Sequence, residues 1–162
     1  MAKTNFLMKC LIKWMVMGLF FIVWPSIIFA AVSDSQSVLG NWQTIDGKTR
    51  KPSSVITIER ENQFYIGKIT KTYANNTSDK KIARCAACKG EQKDESIIGL
   101  KIIKHMICRG DYCSHGTILD PRSGQVYHAT MQVIRDGQEL KVRGYVGVPM
   151  FGKTVVWRRL GK

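Results

Sequence analysis

Beyond residue 31 the chain has no segment with helical periodicity, and it has few acids: 12 Asp and Glu against 25 Lys and Arg. The first absence excludes helical bundles and folds that alternate helices with strands. Histidine is also scarce, at three. His105 and His115 sit near cysteines and His128 lies inside a strand-like run, so they form no catalytic set. There is no G-x-S-x-G elbow, no phosphate-binding glycine loop and no H-E-x-x-H helix. Asp111, Asp120 and Glu139 could be paired with anything on paper, but a turn already explains Asp120 and acid–base work is not expected of them. Internal repeats, low-complexity tracts and a second domain are missing too. These absences predict a protein that is not an enzyme and that uses no cofactor.

What is present begins with an export signal. Lys3, Lys9 and Lys13 precede the apolar run Trp14 to Trp24, a breaker at Pro25-Ser26 and the small pair Ala30-Ala31. Charged, apolar and small segments in that order describe a signal peptide over residues 1–31, cleaved after Ala30 or Ala31. The rival is a retained anchor over Trp14 to Val32, which Pro25 and Ser26 interrupt. Cys10 precedes the apolar run, which excludes a lipoprotein signal. The three lysines of residues 1–31 account for three of the chain's +13 charges, leaving +10 over residues 32–162. Such a surplus attracts anionic lipid or acidic polysaccharide outside the cell, and no nucleic acid is expected there. The plain alternative is a soluble basic surface.

Residues 32–38 form a polar, flexible lead-in, and one domain follows over 39–162. Alternation, β-branched and aromatic enrichment and turn signals predict eight strands, at 39–46, 53–59, 63–70, 97–105, 116–119, 125–134, 139–146 and 153–159. The turn chemistry is legible at Glu61-Asn62, at Asp120-Pro121-Arg122-Ser123-Gly124 and at Asp136-Gly137. Residues 71–96 make a long connection that carries sequons at Asn75 and Asn76 and the pair Cys85-x-x-Cys88. An antiparallel sheet of eight strands removes its edges by closing, which brings the first strand beside the last.

Cys85, Cys88, Cys108 and Cys113 are four candidates for disulfides, with three pairings open. Long-range bridges would pin the 71–96 connection against the second pair. A zinc site made of the same four thiolates is the minority reading, and redox chemistry at Cys85 and Cys88 is weaker still. No metal is therefore expected. Arg159 can cap the indole of Trp42 through a cation–π contact and tie the last strand to the first. Arg143 either braces structure or faces inward to meet an anionic head group. With Tyr127 and Trp157 it makes up the set of residues expected to touch a ligand.

Taken in order, Gly40-Asn41-Trp42, Ser54 to Glu59, Gly67-Lys68-Ile69, Cys85-x-x-Cys88-x-Gly90, Ile98-Gly99-Leu100, Gly116 to Pro121 with Gly124 and Tyr127, Leu140 to Tyr145, and Phe151-Gly152 through Trp157-x-Arg159 resemble the exported bacterial family called domain of unknown function 2147. The Gly40-x-Trp42 opening and late Arg159 are also similar to the lipocalin signature. The resemblance implies an all-β fold: an eight-stranded antiparallel lipocalin-like (calycin-type) barrel after an N-terminal signal helix. Gly40, Trp42, Asp120, Pro121, Gly124 and Arg159 would be its structural signature. The expected function is that of a monomer, periplasmic or secreted, binding a small amphipathic or anionic ligand derived from the cell envelope. The alternatives are an envelope protein that meets an anionic component through its basic surface and, more remotely, a thiol-active enzyme.

Overall fold

The computed structural model describes residues 37–73 and 84–161. The segment predicted as a signal peptide, most of the predicted lead-in and the sequons at Asn75 and Asn76 lie outside the described residues. Eight antiparallel strands close into a barrel in sequence order: β1 (Gly40–Ile45), β2 (Pro52–Glu61), β3 (Phe64–Thr72), β4 (Lys101–Arg109), β5 (Tyr112–Asp120), β6 (Gln125–Ile134), β7 (Glu139–Tyr145) and β8 (Gly152–Arg159). Closure is a direct pairing of Trp42 with Arg159 and of Gln43 with Arg158.

The strict up-and-down order gives the barrel two different ends. The β2–β3, β4–β5 and β6–β7 connections are tight hairpins at one end; the β1–β2, β3–β4, β5–β6 and β7–β8 connections gather at the other, the mouth. Alternation does what the pattern predicts. On β6, Ala129, Met131 and Val133 are buried while Val126 and His128 are exposed; on β7, Leu140 and Val142 are buried while Lys141 is exposed. Trp42, Ile58, Met106, Met131 and Leu140, each 2 % exposed or less, are part of the core. Among the described residues no polar or charged side chain is buried.

The hairpin end is sealed by Trp42 and Arg159. The indole donates its Nε1–H to the Val38 carbonyl at 2.8 Å. The guanidinium carbon of Arg159 lies 4.1 Å from the indole centroid, and its N–H groups donate to the carbonyls of Gly137, Leu39 and Ser37. One side chain thus ties the chain's entry to β1, the β6–β7 hairpin and the end of β8. Val38 is 2 % exposed, so the flexible lead-in predicted for 32–38 gives way to packed structure by that residue.

Two strand predictions need correction. The fourth strand starts at Lys101 instead of 97, because Leu100 N–H turns back to the Ile97 carbonyl and Ile97 and Leu100 pack as core residues of a turn. The fifth is a full nine-residue strand, Tyr112–Asp120, instead of a four-residue fragment. Its hairpin partner is β4, with Arg109 opposite Tyr112 and Gly110-Asp111 as the turn. A Gly-Asp pair between strands is a hairpin signal that locates this turn.

Candidate functional site

A cavity of about 600 Å³ opens at the mouth, walled by β1, β2 and β3, by residues 96–98 and by the β5–β6 turn. Its lining has three chemical layers. Ile56, Ile69, Ile97 and Ile102, all 7 % exposed or less, give an apolar floor. Thr44, Ser53, Ser54, Thr72 and Tyr73 contribute hydroxyls higher up. Asp46, Asp120 and Arg122 carry charge at the rim.

Register explains the layers. Thr44 pairs with Ser54 and Ser54 with Thr72, so one inward row of three strands ends in hydroxyls just above the isoleucines. Thr44 Oγ1 and Ser54 Oγ lie 2.7 Å apart, and Thr44 Oγ1 also accepts from the Ser54 N–H at 3.0 Å. The Tyr73 hydroxyl accepts from the Gln43 amide at 3.2 Å, and Lys71 Nζ stands 5.0 Å from the ring centroid. The wall is therefore formed and partnered before any ligand arrives.

The rim is fixed by Asp46. Its carboxylate accepts from the N–H groups of Thr49 at 2.8 Å and Lys48 at 3.0 Å, and from the Thr49 hydroxyl at 3.1 Å. It also meets the Arg122 guanidinium at 3.2 Å, which joins the β1–β2 loop to the β5–β6 turn. The bonds from Thr49 above all, then those from Lys48 and Arg122, lower the Asp46 pKa to about 2 against desolvation that opposes them.

The β5–β6 turn is itself held from below. Gly124 N–H bonds to the Asp120 carbonyl at 2.8 Å, while the Asp120 carboxylate accepts from Arg122 N–H and the Ser123 hydroxyl, each at 3.0 Å. Gly124 has φ +68°, and a Cβ there would stand 1.8 Å from the Ala87 carbonyl oxygen. The Cys85-Ala86-Ala87-Cys88 knuckle therefore rests directly on this glycine. The two most distinctive segments of the sequence build one wall of the mouth together.

The cysteines pair within themselves, Cys85 with Cys88 and Cys108 with Cys113. Of the three pairings the sequence leaves open, the two local bridges form, so no disulfide pins the 71–96 connection against the second pair. The first closes the knuckle and the second crosses the β4–β5 pair at its hairpin end. All four sulfurs are used, which leaves no thiolate for the zinc alternative. Cys85 and Cys88 are 0 % and 2 % exposed, so the thiol-exchange alternative has no accessible sulfur.

Tyr127, Arg143 and Trp157 do not line the mouth cavity. Tyr127 shares the inner face of β6 with Ala129 and is half-buried, on strands away from the cavity. Trp157 is a core residue opposite Leu140, toward the hairpin end. Arg143 lies on the outer face, because the alternation that buries Leu140 and Val142 turns it outward. It donates to the carbonyls of Pro149 at 2.7 Å and Met150 at 3.0 Å and to the Thr154 hydroxyl at 2.8 Å. The inward-facing alternative for Arg143 is therefore replaced by a bracing role. The cavity residues escaped the sequence reading because they come from five separate segments with no local spacing to mark them.

A second cleft of about 620 Å³ lies on the outer wall beside β3 and β4, lined by Glu61, Phe64, Ile66, Glu91, Glu95 and Lys101 among others. Glu61 and Lys101 satisfy each other there at 2.8 Å. Lys101 holds the Glu61 carboxyl below its ordinary range. Among the described residues no cluster of His, Cys, Asp or Glu could hold a metal ion, and no helix is long and apolar enough to cross a membrane.

A closed eight-stranded up-and-down barrel sealed by a tryptophan–arginine pair, with its cavity at the far end, defines a lipocalin-like architecture. A solved structure supports the class: protein HP1028 from the human pathogen Helicobacter pylori, described as belonging to the lipocalin family, superimposes with a TM-score of 0.66 at 18 % identity, over 77 % of this chain and 84 % of that one. The chain belongs to the family described as "Uncharacterized protein conserved in bacteria (DUF2147)", whose model matches residues 40–159. No curated protein matches the chain.

Proposed function

We propose that this protein binds a small amphipathic molecule in the mouth cavity and carries it unchanged. The observation that carries the reading is the layered lining: isoleucine floor, hydroxyl wall and charged rim within about 600 Å³, a volume typical of small-molecule pockets. An apolar tail would lie on Ile56, Ile69 and Ile97, and a polar or anionic head would meet the hydroxyls and Arg122. Catalysis has no support in this lining. Asp46 is held as a carboxylate by four donors, which occupies it in fixing the rim.

The two disulfides favour an oxidising compartment outside the cytoplasm, in keeping with the export signal read from residues 1–31. The ligand is then an envelope-derived molecule met by a periplasmic or secreted monomer. Displacement of a fluorescent fatty acid by unlabelled candidates tests the reading, with Thr72→Trp as the blocking variant. Saturable binding that the variant removes is expected. Binding indifferent to the variant would place the ligand elsewhere.

The +10 charge of residues 32–162 favours a second reading, contact with an anionic envelope component. Binding to an acidic polysaccharide should then weaken steeply between low and high salt. Salt-independent binding would count against it.

A further inference from the structure

The connection between β7 and β8 shows side chains that a globular surface normally hides. Phe151 is 79 % exposed, Met150 80 %, Val146 68 % and Val148 54 %. These four lie within six consecutive residues, on a loop at the same end of the barrel as the cavity.

The display is built. A single 3₁₀ turn, Pro149–Phe151, shapes the tip, and Phe151 N–H bonds to the Val148 carbonyl. The Arg143 guanidinium engages the backbone of Pro149 and Met150 and the Thr154 side chain with all three of its nitrogens. Gly152 follows where any Cβ would stand 2.7 Å from the Gly144 carbonyl oxygen, so the loop's base is closely packed. A guanidinium spent on loop carbonyls holds the backbone in place while the apolar side chains point away from the protein.

On the β1–β2 and β7–β8 loops beside the tip, cations outnumber acids. On β7 and β8 the charged residues that flank the tip are Arg143 and Lys153, both cationic, while Arg158 and Arg159 lie at the hairpin end. Exposed Lys48, Arg50 and Lys51 stand on the β1–β2 loop at the same end, together with Asp46, whose carboxylate is taken up by Lys48, Thr49 and Arg122. Apolar side chains on an exposed tip beside a net-cationic loop match an anionic bilayer surface, where the tip enters the acyl boundary and the cations meet head groups. A second copy of the chain fits less well. Four side chains fall far short of the roughly 20–30 residues a side of a stable protein interface, and two cationic tips repel.

We infer that the mouth end docks on an anionic lipid surface, with Met150 and Phe151 entering the interface. The barrel then stands mouth-down on the bilayer, with its cavity at the membrane. This inference does not rest on the ligand reading, since docking needs no occupant in the cavity.

The test uses the protein purified from its own host and floated with vesicles of phosphatidylcholine, alone or mixed with phosphatidylglycerol. Binding is expected to the mixed vesicles, to weaken with salt, and to fall at least about tenfold in the Met150→Ser, Phe151→Ser double variant. Val126→Ser, at an exposed valine on the outer wall, should change nothing. In Phe151→Trp, emission relative to the unmodified protein should shift to the blue only with the mixed vesicles. A double variant that binds vesicles like the unmodified protein, or a Phe151→Trp emission that does not move, overturns the proposal. Concentration-dependent self-association abolished by the double variant would assign the tip to a second copy and also overturn it. Vesicle binding by a protein that takes up no fatty-acid probe would defeat the ligand reading and leave this one standing.

Discussion

Gly124→Ala should destabilise the barrel by about 2–5 kcal/mol, and the structure divides that cost into two parts. The first is backbone: φ is +68°, a left-handed conformation that costs an L-residue with a side chain about 1–2 kcal/mol. The second is steric. The new Cβ would lie 1.8 Å from the Ala87 carbonyl oxygen and 2.4 Å from its carbon. Both are backbone atoms of a disulfide-closed knuckle, so no rotamer change relieves the clash and the knuckle must move. Overpacking of this kind costs about 1–3 kcal/mol. Gly110→Ala is the control: φ there is +60°, with nothing within 4 Å of the added Cβ, so only the backbone part applies. Urea unfolding followed by tryptophan emission reads both variants, since Trp42 and Trp157 are both buried. A difference of about 2 kcal/mol between the two glycines is expected at unchanged m-value. Equal losses would mean that the knuckle does not rest on the turn, and the account of the mouth's wall would fail.

Arg159→Ala removes a cation–π contact and donors to three carbonyls, an expected loss of about 3 kcal/mol. Arg159→Lys should recover less than half of it, because an ammonium cannot stack and fork together; faster amide exchange at Trp42 and Gln43 would locate the damage at the β1–β8 seam. Tryptic mapping without reduction should return Cys85 and Cys88 within one peptide and a separate linked pair containing Cys108 and Cys113; a peptide joining the two sets would contradict local pairing. For Asp46, whose folded pKa is lowered from 3.8 to about 2, the stabilisation is fully present above pH 4 and is lost as pH falls toward 2. A carboxyl carbon NMR titration should show that low midpoint, and Thr49→Val should raise it.

The sequence spoke most clearly where structure is local. Alternation placed Ala129, Met131 and Val133 on one face because a strand's side-chain period is two, and Asp120 to Gly124 announced its turn because each residue type there has one conformational use. Closure by Trp42 and Arg159 was legible because the two residues sit on the terminal strands of a sheet that has to close. Ile97 to Leu100 misled, because an apolar run with a glycine reads as a strand until its hydrogen bonds to Ile69 and Ile97 are seen. The disulfide pairing and the cavity were illegible for a stronger reason. Thr44, Ser54, Ile69, Ile97 and Arg122 meet only through register, and register belongs to the closed sheet as a whole. The role of Arg143 stayed open in the sequence because its partners, the carbonyls of Pro149 and Met150, leave no mark in side-chain sequence.

The central claim is that the mouth cavity holds a small amphipathic molecule, and native mass spectrometry of the protein purified from its own host tests it most directly, beside Thr72→Trp purified in the same way. The account predicts an adduct of about a few hundred daltons on the unmodified protein, lost on denaturation and absent from the variant. A bare protein that also takes up no fatty acid or lipid on incubation would contradict it.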